Sequence, residues 1–209
     1  MKPPDNDLSG YFQQLYGQDS DPWQVRQRWY EQRKRALVLA SLPLARYDNA
    51  YEPGCGNGEL TVQLAPRCKH LLATDLSAQA VALTQARLAQ DGRCGHVAVT
   101  QQNLPHDWPR AGGRPFDLIL ISEFAYYLEA DALALLVEHS AATLAPHGTL
   151  LLCHWRPPFK QRLQSTARVH AAFRAAPGLQ RLVHHEEDDF LLDLWSADGR
   201  SVAQREGLR

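Results

Sequence analysis

The chain has 209 residues, 44% of them hydrophobic, and its 22 basic and 23 acidic side chains leave a net charge of −1. A chain of this length buries roughly 70% of its unfolded surface, so its core needs no disulfide or metal staple. The balanced charge gives no reason to expect a nucleic acid or an anionic membrane as partner, and no apolar stretch approaches the roughly 18 residues of a membrane span. The four cysteines lack paired metal-ligand spacing, so we expect no metal site, reduced thiols and a cytoplasmic location.

The N-terminal part of the chain is predicted as a flexible segment, residues 1–20, followed by a cap over residues 21–47. Asp21-Pro22 is a favourable helix start, and the predicted helix runs from Trp23 to about Leu42. This helix carries more aromatic residues than a surface helix normally exposes. It is therefore expected either to cover the sheet or to close as a lid over a flat organic ligand. The aromatic residues concerned are Trp23, Trp29 and Tyr30.

From residue 48 to about 144, apolar runs alternate with amphipathic stretches, a pattern typical of a doubly wound α/β sheet. The predicted strands are Ala50–Glu52, His70–Asp75, Val97–Gln101, Phe116–Ser122, Thr149–His154, Leu179–His185 and Phe190–Trp195. The predicted helices between them are Glu59–Ala65, Ala78–Gln90, Glu129–Leu144 and Lys160–Ala175. We expect the last two strands to form a hairpin around the acidic residues 186–189, interpreted as a solvated turn. Residues 21–200 are predicted to form one domain, with a C-terminal tail at 201–209.

The most informative motif is segment 52–58, Glu-Pro-Gly-Cys-Gly-Asn-Gly, between the first strand and the following helix. Glycines at alternate positions allow a tight backbone turn where side chains would block a ligand, and the helix start supplies free N–H groups. Asp75 ends the next strand, where an acidic side chain can receive ribose hydroxyls. This combination predicts a nucleoside-cofactor site.

The glycine spacing distinguishes two classes of cofactor. Dinucleotide sites need a third glycine that packs the helix against the strand, and this chain has Glu59 at that position. An NAD-dependent oxidoreductase is therefore disfavoured. Gly54-x-Gly56-x-Gly58 after Glu52 instead resembles the first motif of class I S-adenosylmethionine (SAM) methyltransferases.

Several strings elsewhere in the chain are uncommon, among them Asp21-Pro22-Trp23, Trp29-Tyr30-Glu31-x-Arg33-Lys34-Arg35, Ser122-Glu123-x-x-Tyr126-Tyr127-Leu128 and His154-Trp155-Arg156. Together they resemble the nodulation protein S (NodS) family of SAM-dependent N-methyltransferases, over roughly residues 20–196. The resemblance implies a Rossmann-like class I methyltransferase fold. Its sheet would be seven-stranded and mostly parallel, with an antiparallel last strand and helices on both faces.

The resemblance also implies a chemistry. Rhizobial members of the family methylate a chito-oligosaccharide whose terminal glucosamine is deacetylated. We therefore expect N-methylation of an amino sugar or similar small amine, with SAM as the cofactor and S-adenosylhomocysteine (SAH) as its product. The expected assembly is a monomer or weak dimer.

The same resemblance assigns cofactor-binding residues to this chain. Asp75 would take the ribose, Leu76 would flank the adenine, and Asn103-Leu104 would bind the adenine amino edge. Arg33 would hold the methionine carboxylate, because a guanidinium forms a forked pair with a carboxylate. The full expected set is Trp23, Arg33, Glu52, Gly54, Gly56, Gly58, Asp75, Leu76, Asn103, Leu104 and Ser122.

The predicted catalytic residues are Glu123, Tyr127 and His154, near the strand tips. Methyl transfer needs a neutral amine lone pair in line with the S–CH₃ bond, so placement supplies most of the catalysis. Glu123 is expected to attract and orient the amine. His154 titrates near neutrality and is a candidate base, although a histidine at a strand end is also often a core residue. Tyr127 is expected either to contact the acceptor or to pack in the core.

Three alternatives stay open at this point. The acceptor is either an amino sugar or another small-molecule amine. A non-catalytic SAM-binding protein is a further possibility, but a polar acceptor site at Ser122-Glu123 and Tyr126-Tyr127 argues for catalysis. The NAD-dependent oxidoreductase is the third.

Overall fold

The computed structural model describes residues 8–92, 95–109 and 114–209. The α-helices are α1 (Leu8–Gln18), α2 (Trp29–Ser41), α3 (Glu59–Leu64), α4 (Ala78–Asp91), α5 (Ala130–Thr143), α6 (Thr166–Arg174) and α7 (Val202–Arg205). The strands are β1 (Ala50–Pro53), β2 (Leu71–Asp75), β3 (Val97–Gln101), β4 (Phe116–Ser122), β5 (Leu144–Trp155), β6 (Gln180–Glu186) and β7 (Phe190–Ser196). Short 3₁₀ turns cover Ala65–Arg67 and Ala125–Tyr127.

The seven strands form one sheet in the order β3-β2-β1-β4-β5-β7-β6. Strands β1 to β5 run parallel, and β7 is antiparallel to both β5 and β6. The expected Rossmann-like class I methyltransferase fold, with its antiparallel last strand, is thereby confirmed. The strand order reverses at β1, which pairs with β2 on one side and β4 on the other. Ligands of open α/β sheets bind at such a switch point, beyond the carboxyl ends of the strands.

Alternating side chains of β4 supply both faces of the core. Leu118 and Leu120 pack in a cluster that also holds Val38 of α2. Ile119 and Ile121 pack in a second cluster on the other face, with Leu136 of α5 and neighbouring residues. Successive strand residues point to opposite faces, and a strand buried on both sides is therefore continuously apolar. Burying each such side chain contributes about 1.5–3 kcal/mol, which fixes the strand tips that carry the candidate site.

Helix α4 begins at the predicted residue, Ala78, and ends at Asp91, one residue beyond the predicted end. The Ser77 side chain caps it by accepting a hydrogen bond from Ala80 N, and Gly92 ends it with a left-handed φ of 71°. Such capping contributes about 1 kcal/mol. Of the helices in the described ranges, none has the length and apolar character that crossing a bilayer requires.

Two helices begin later than predicted because local side-chain contacts organise the residues that precede them. Helix α2 begins at Trp29, not at Trp23. The Asp21 carboxylate closes a turn instead, accepting from Val25 N at 2.8 Å and Arg26 N at 3.2 Å. Helix α6 begins after Ser165, whose hydroxyl accepts from Arg168 N, rather than at Lys160.

The N-terminal segment also differs from the prediction. Residues 1–20 were expected to be flexible, but α1 occupies Leu8–Gln18. Its apolar residues repeat at the spacing of one helix face, a signal that was available in the sequence. Residues 1–7 lie outside the described part of the chain. The expected C-terminal tail contains the short helix α7.

Candidate active site

A cavity of about 750 Å³ lies at the carboxyl ends of β1, β2 and β4. The glycine loop after β1, the tip of β2 and the residues that follow β4 form its floor. Helices α1 and α2 and the segment between them form its roof. The cavity is therefore at the switch point of the sheet, where the fold places ligands.

The glycine loop has a backbone that only glycine adopts without strain. Gly54, Gly56 and Gly58 have φ values of 76°, 56° and 79°, in the left-handed region. A Cβ on Gly54 would lie 2.8 Å from the Phe124 ring, and a Cβ on Gly56 would lie 2.8 Å from Tyr16 Oη. The alternating glycines thus allow the backbone to turn and allow Phe124 and Tyr16 to approach it closely.

Asp75 ties the glycine loop to the tip of β2. Its Oδ2 accepts from Gly56 N at 2.9 Å, and its Oδ1 accepts from Ser77 N at 2.9 Å. Burial raises the pKa of Asp75, and these backbone N–H groups oppose the rise. Each carboxylate oxygen keeps a second lone pair, so Asp75, which lines the cavity, can also accept from the hydroxyls of a ligand.

Glu52 is a buried carboxyl group at the cavity wall. Its side chain is 3% exposed, and its Oε2 finds no hydrogen-bond partner among the described residues. Burial raises the pKa of Glu52 to about 8; the Thr61 hydroxyl opposes this rise, and the nearby Asp75 charge adds to it. An unpartnered buried polar atom is costly, so Glu52 is suited to receive a donor from a ligand.

Most of the remaining predicted cofactor residues line the cavity, namely Trp23, Leu76, Leu104 and Ser122. Asn103 does not. It is exposed, and its backbone N donates to Asp107 Oδ2 at 2.8 Å. Its neighbour Gln102 lines the cavity instead, held through its backbone N to Asp75 O at 2.9 Å and its side chain to Tyr51 Oη at 3.1 Å.

Arg33 is the clearest correction. Its guanidinium makes a forked ion pair with Glu187, at 2.8 and 2.7 Å, and it does not line the cavity. The Arg33 hydrogen bonds, followed by one from His185, lower the pKa of Glu187 to about 2. The acidic turn is thus partly paired rather than simply solvated. Arg35, on a different face of α2, lines the cavity instead.

Arg35 has the features expected of an anion ligand. It is buried, and one of its terminal nitrogens donates to Val25 O at 2.5 Å. Its Nε finds no partner in the described part of the chain. Of the predicted lid aromatics, Trp23 and Tyr30 line the cavity, whereas Trp29 is 73% exposed and does not.

Glu123 follows β4 directly and lines the cavity. Its backbone has a φ of 60°, an uncommon value for a residue other than glycine. Its Oε1 accepts from Lys34 Nζ at 2.6 Å. Its Oε2 accepts from Tyr126 Oη at 2.6 Å and from Trp155 N at 2.8 Å. Three donors therefore hold the carboxylate in one orientation.

Tyr127 belongs to an aromatic wall of the same cavity. Its ring lies edge-to-face with Phe12 of α1 at 5.1 Å and with Phe159 at 5.5 Å between centroids. Burial raises the pKa of Tyr127, so it stays a neutral phenol. All three rings line the cavity and present it with a largely apolar surface.

His154 lies outside the cavity lining, contrary to its predicted catalytic role. It is fully buried, and its Nδ1 lies 3.1 Å from His170 Nε2. His170 Nδ1 in turn lies 2.7 Å from Asp193 Oδ2. Burial, reinforced by the adjacent His170, lowers the pKa of His154 well below its ordinary value. His154 is therefore a neutral core residue, the second of the two interpretations given for it.

The N-terminal segment, which sequence reasoning treated as flexible, closes over the glycine loop. Gln13 Oε1 accepts from Ser77 Oγ at 3.1 Å and from Gln79 N at 3.2 Å. Asn57 Nδ2 donates to Ser20 O at 3.1 Å, and Tyr16 is 7% exposed against the loop. The roof of the cavity thus begins at α1.

Comparisons with known proteins place this geometry in a family. A family model described as a methyltransferase domain matches residues 50–148. A crystal structure from Pseudomonas syringae, described as a methyltransferase, is 48% identical with a TM-score of 0.70, and the alignment covers 81% of this chain and 99% of that one. The chain belongs to the class I methyltransferases.

Nodulation proteins themselves are more distant relatives. The nodulation protein S of Sinorhizobium fredii is 31% identical over 133 residues, 63% of this chain and 59% of that protein. The chain therefore spans about three fifths of the length of this curated relative. The N-methyltransferase NodS of Bradyrhizobium japonicum, solved with SAH, has a TM-score of 0.79 at 22% identity, over 91% of this chain and 98% of that one.

As a class I methyltransferase, the protein uses SAM, and the residues of its cavity fit that cofactor. The fit rests on unpartnered buried atoms at the cavity wall, Glu52 Oε2 and Arg35 Nε, which complement an ammonium and a carboxylate. It rests also on the glycine loop, which brings the backbone of Gly54 and Gly56 to the cavity wall. Among the described residues, no cluster of His, Cys, Asp or Glu is arranged to hold a metal ion.

Proposed function

We propose that the protein transfers the methyl group of SAM to an amine nitrogen of a small molecule, with an amino sugar or chito-oligosaccharide-like amine as acceptor. The observation that carries this proposal is the oriented Glu123 carboxylate in the same cavity as the glycine loop. A fixed carboxylate orients an amine through an N–H hydrogen bond. The Bradyrhizobium NodS is named an N-methyltransferase, which supports nitrogen as the acceptor atom.

In this proposal each cofactor residue contacts a different part of SAM. Asp75 takes the ribose hydroxyls, while Leu76, Leu104 and Gln102 surround the adenine. Arg35 takes the place predicted for Arg33 and holds the methionine carboxylate. When bound, the cofactor supplies an electrophilic methyl group on a sulfonium centre.

Glu52 completes the cofactor site by accepting from the methionine ammonium. The support for this assignment is its unpartnered Oε2 at the cavity wall. The raised pKa of about 8 means that Glu52 is largely protonated at neutral pH before the ligand arrives. The ammonium therefore favours loss of that proton.

Glu123 has the capacity to bind the acceptor. A carboxylate offers about four acceptor positions, and Lys34, Tyr126 and Trp155 use three of them. The remaining position accepts from the amine N–H and turns the nitrogen lone pair toward the methyl group. The aromatic wall formed by Phe12, Tyr127 and Phe159 suits the apolar face of a sugar ring.

The test is a methylation assay with isotopically labelled SAM. The panel compares glucosamine and de-N-acetylated chitobiose with the N-acetylated sugars and with a simple alkylamine. We expect transfer to the free amino sugars, with NMR of the product placing the label on nitrogen. Label on oxygen, or equal turnover of the N-acetylated sugars, would overturn the proposal. SAH binding without turnover of any amine would favour the non-catalytic SAM-binding protein.

We further propose that the protein works in the cytoplasm as a monomer or weak dimer. Support for the compartment comes from Cys55, Cys68 and Cys153, which are free, buried thiols of the kind that a reducing compartment maintains. Sedimentation velocity across a concentration series tests the assembly, and a tight dimer would contradict it.

A further inference from the structure

Three charged side chains, Glu31, Lys34 and Glu123, join helix α2 to the tip of β4. Lys34 Nζ lies 2.6 Å from Glu123 Oε1 and 3.0 Å from Glu31 Oε2. The Lys34 side chain is 7% exposed and lines the cavity together with both carboxylates. Burying an ammonium is unfavourable unless carboxylates compensate it closely. A buried bridge at this place therefore points to a role in the site.

Lys34 supplies the hydrogen bond to the second oxygen of the Glu123 carboxylate. Tyr126 and Trp155 both donate to Oε2, so neither of them restrains or compensates the charge on Oε1. Lys34 holds the other oxygen, Oε1. With both oxygens held, the one acceptor position that remains points in a single direction.

We infer that Lys34 is a positioning residue of the acceptor site, which fixes Glu123 so that its remaining acceptor position meets the amine. The inference deepens the proposed function and rests on it. Lys34 acts through Glu123 and is not itself a base. Burial alone lowers the pKa of Lys34, but the carboxylates of Glu123 and Glu31 outweigh burial and the pKa is raised.

The test is a double-mutant cycle on kcat/KM for de-N-acetylated chitobiose, with Lys34→Met, Glu123→Gln and the double variant. Lys34→Met should lower kcat/KM about 10- to 100-fold, the effect of one charge-assisted hydrogen bond, chiefly through kcat. Since Lys34 acts through Glu123, the double variant should be no slower than Glu123→Gln alone. Lys34→Arg keeps the charge and should recover most of the activity, while the affinity for SAH stays unchanged.

Two further variants keep the test decisive. Lys34→Met leaves two neighbouring carboxylates without their cation, so Glu31→Gln combined with Lys34→Met removes that repulsion if the single variant folds poorly. Glu31→Gln alone is the comparison variant, because it breaks one bridge of Lys34 and leaves Glu123 held; it should lower kcat less than Lys34→Met does.

The outcomes separate the two proposals. If the wild type methylates no amine, the proposed function fails. If the wild type is active and the double variant is slower by the product of the two single effects, Lys34 acts independently of Glu123 and the inference is overturned. Wild-type kcat/KM in Lys34→Met would overturn it equally.

Discussion

Asp75→Ala is the substitution that tests the cofactor site most directly. The proposal gives Asp75 two tasks, since its carboxylate anchors Gly56 N and Ser77 N and accepts from the ribose hydroxyls. Alanine removes both. The expected result is a large loss of affinity for SAH, with the sheet still folded.

The magnitude follows from the bonds that are lost. Hydrogen bonds to a charged group are worth about 1.5–3 kcal/mol each. Two ribose bonds therefore correspond to roughly 3–6 kcal/mol, and each 1.4 kcal/mol is about tenfold in Kd. Because relaxation and water recover part of this, we expect a weakening of well over tenfold. Asp75→Asn, which keeps one acceptor oxygen, should lie between alanine and the wild type.

Titration calorimetry with SAH measures the effect, and Asp117→Ala is its matched control. The Asp117 carboxylate also accepts from two backbone N–H groups, of Asp48 at 2.6 Å and Asn49 at 3.0 Å, but it does not line the cavity. The control should lose stability while its affinity for SAH stays at the wild-type value. Unchanged SAH affinity in Asp75→Ala, or an equal loss in both variants, would refute the placement of the ribose at Asp75.

Further predictions concern the rest of the site. Glu52 has a pKa raised to about 8 in the folded ligand-free protein, against about 4.3 in the unfolded chain. The stability that Glu52 contributes is therefore fully present below the unfolded pKa and is lost as pH rises toward 8. Urea unfolding should show this loss in the wild type and not in Glu52→Gln. SAH binding near pH 7 should release up to about one proton from Glu52, detected as a buffer-dependent calorimetric enthalpy that Glu52→Gln abolishes. Deleting residues 1–18 should weaken SAH binding by over tenfold, because the contacts of the cavity roof are lost. Wild-type affinity in this variant would show that α1 does not contribute to cofactor binding. Glu123→Gln should lower kcat/KM about 10²-fold with SAH affinity unchanged, and full activity from pH 6 to 9 would remove Glu123 from the acceptor role. His154→Gln should keep the wild-type shape of the pH–rate profile, and a lost limb would return His154 to the mechanism.

The strands and the glycine loop could be predicted because local pattern determines them. The predicted bounds of β3 and β4, Val97–Gln101 and Phe116–Ser122, match the structure. Strand β4 is buried in the parallel sheet and is therefore a nearly continuous apolar run, whereas β3 is a partly exposed edge strand. The glycine loop was recognisable because positive φ values restrict the residue type. Sequence pattern could not fix the strand order, which depends on contacts between distant segments.

The misassigned site residues depended on such distant contacts. Arg33 was a reasonable carboxylate ligand by chemistry, but its partner Glu187 lies 154 positions away in sequence. Because α2 begins at Trp29 and not at the predicted Trp23, the sequence did not determine which face of the helix lines the cavity. That face carries Arg35, whereas Arg33 lies on another face. Assigning His154 to the core required knowing that His170, on another element, lies beside it.

The two ion pairs of helix α2 restrict how the cavity can open. Arg33 joins the helix to the β6–β7 hairpin through Glu187, and Lys34 joins it to the tip of β4. An opening motion that keeps both pairs leaves α2 standing as a fixed wall and moves only residues 8–28. Within that stretch Gln24 has a φ of 55°, a conformation that costs about 1 kcal/mol or more and is suited to a hinge. The rate at which SAH leaves and SAM enters would then depend on the movement of residues 8–28.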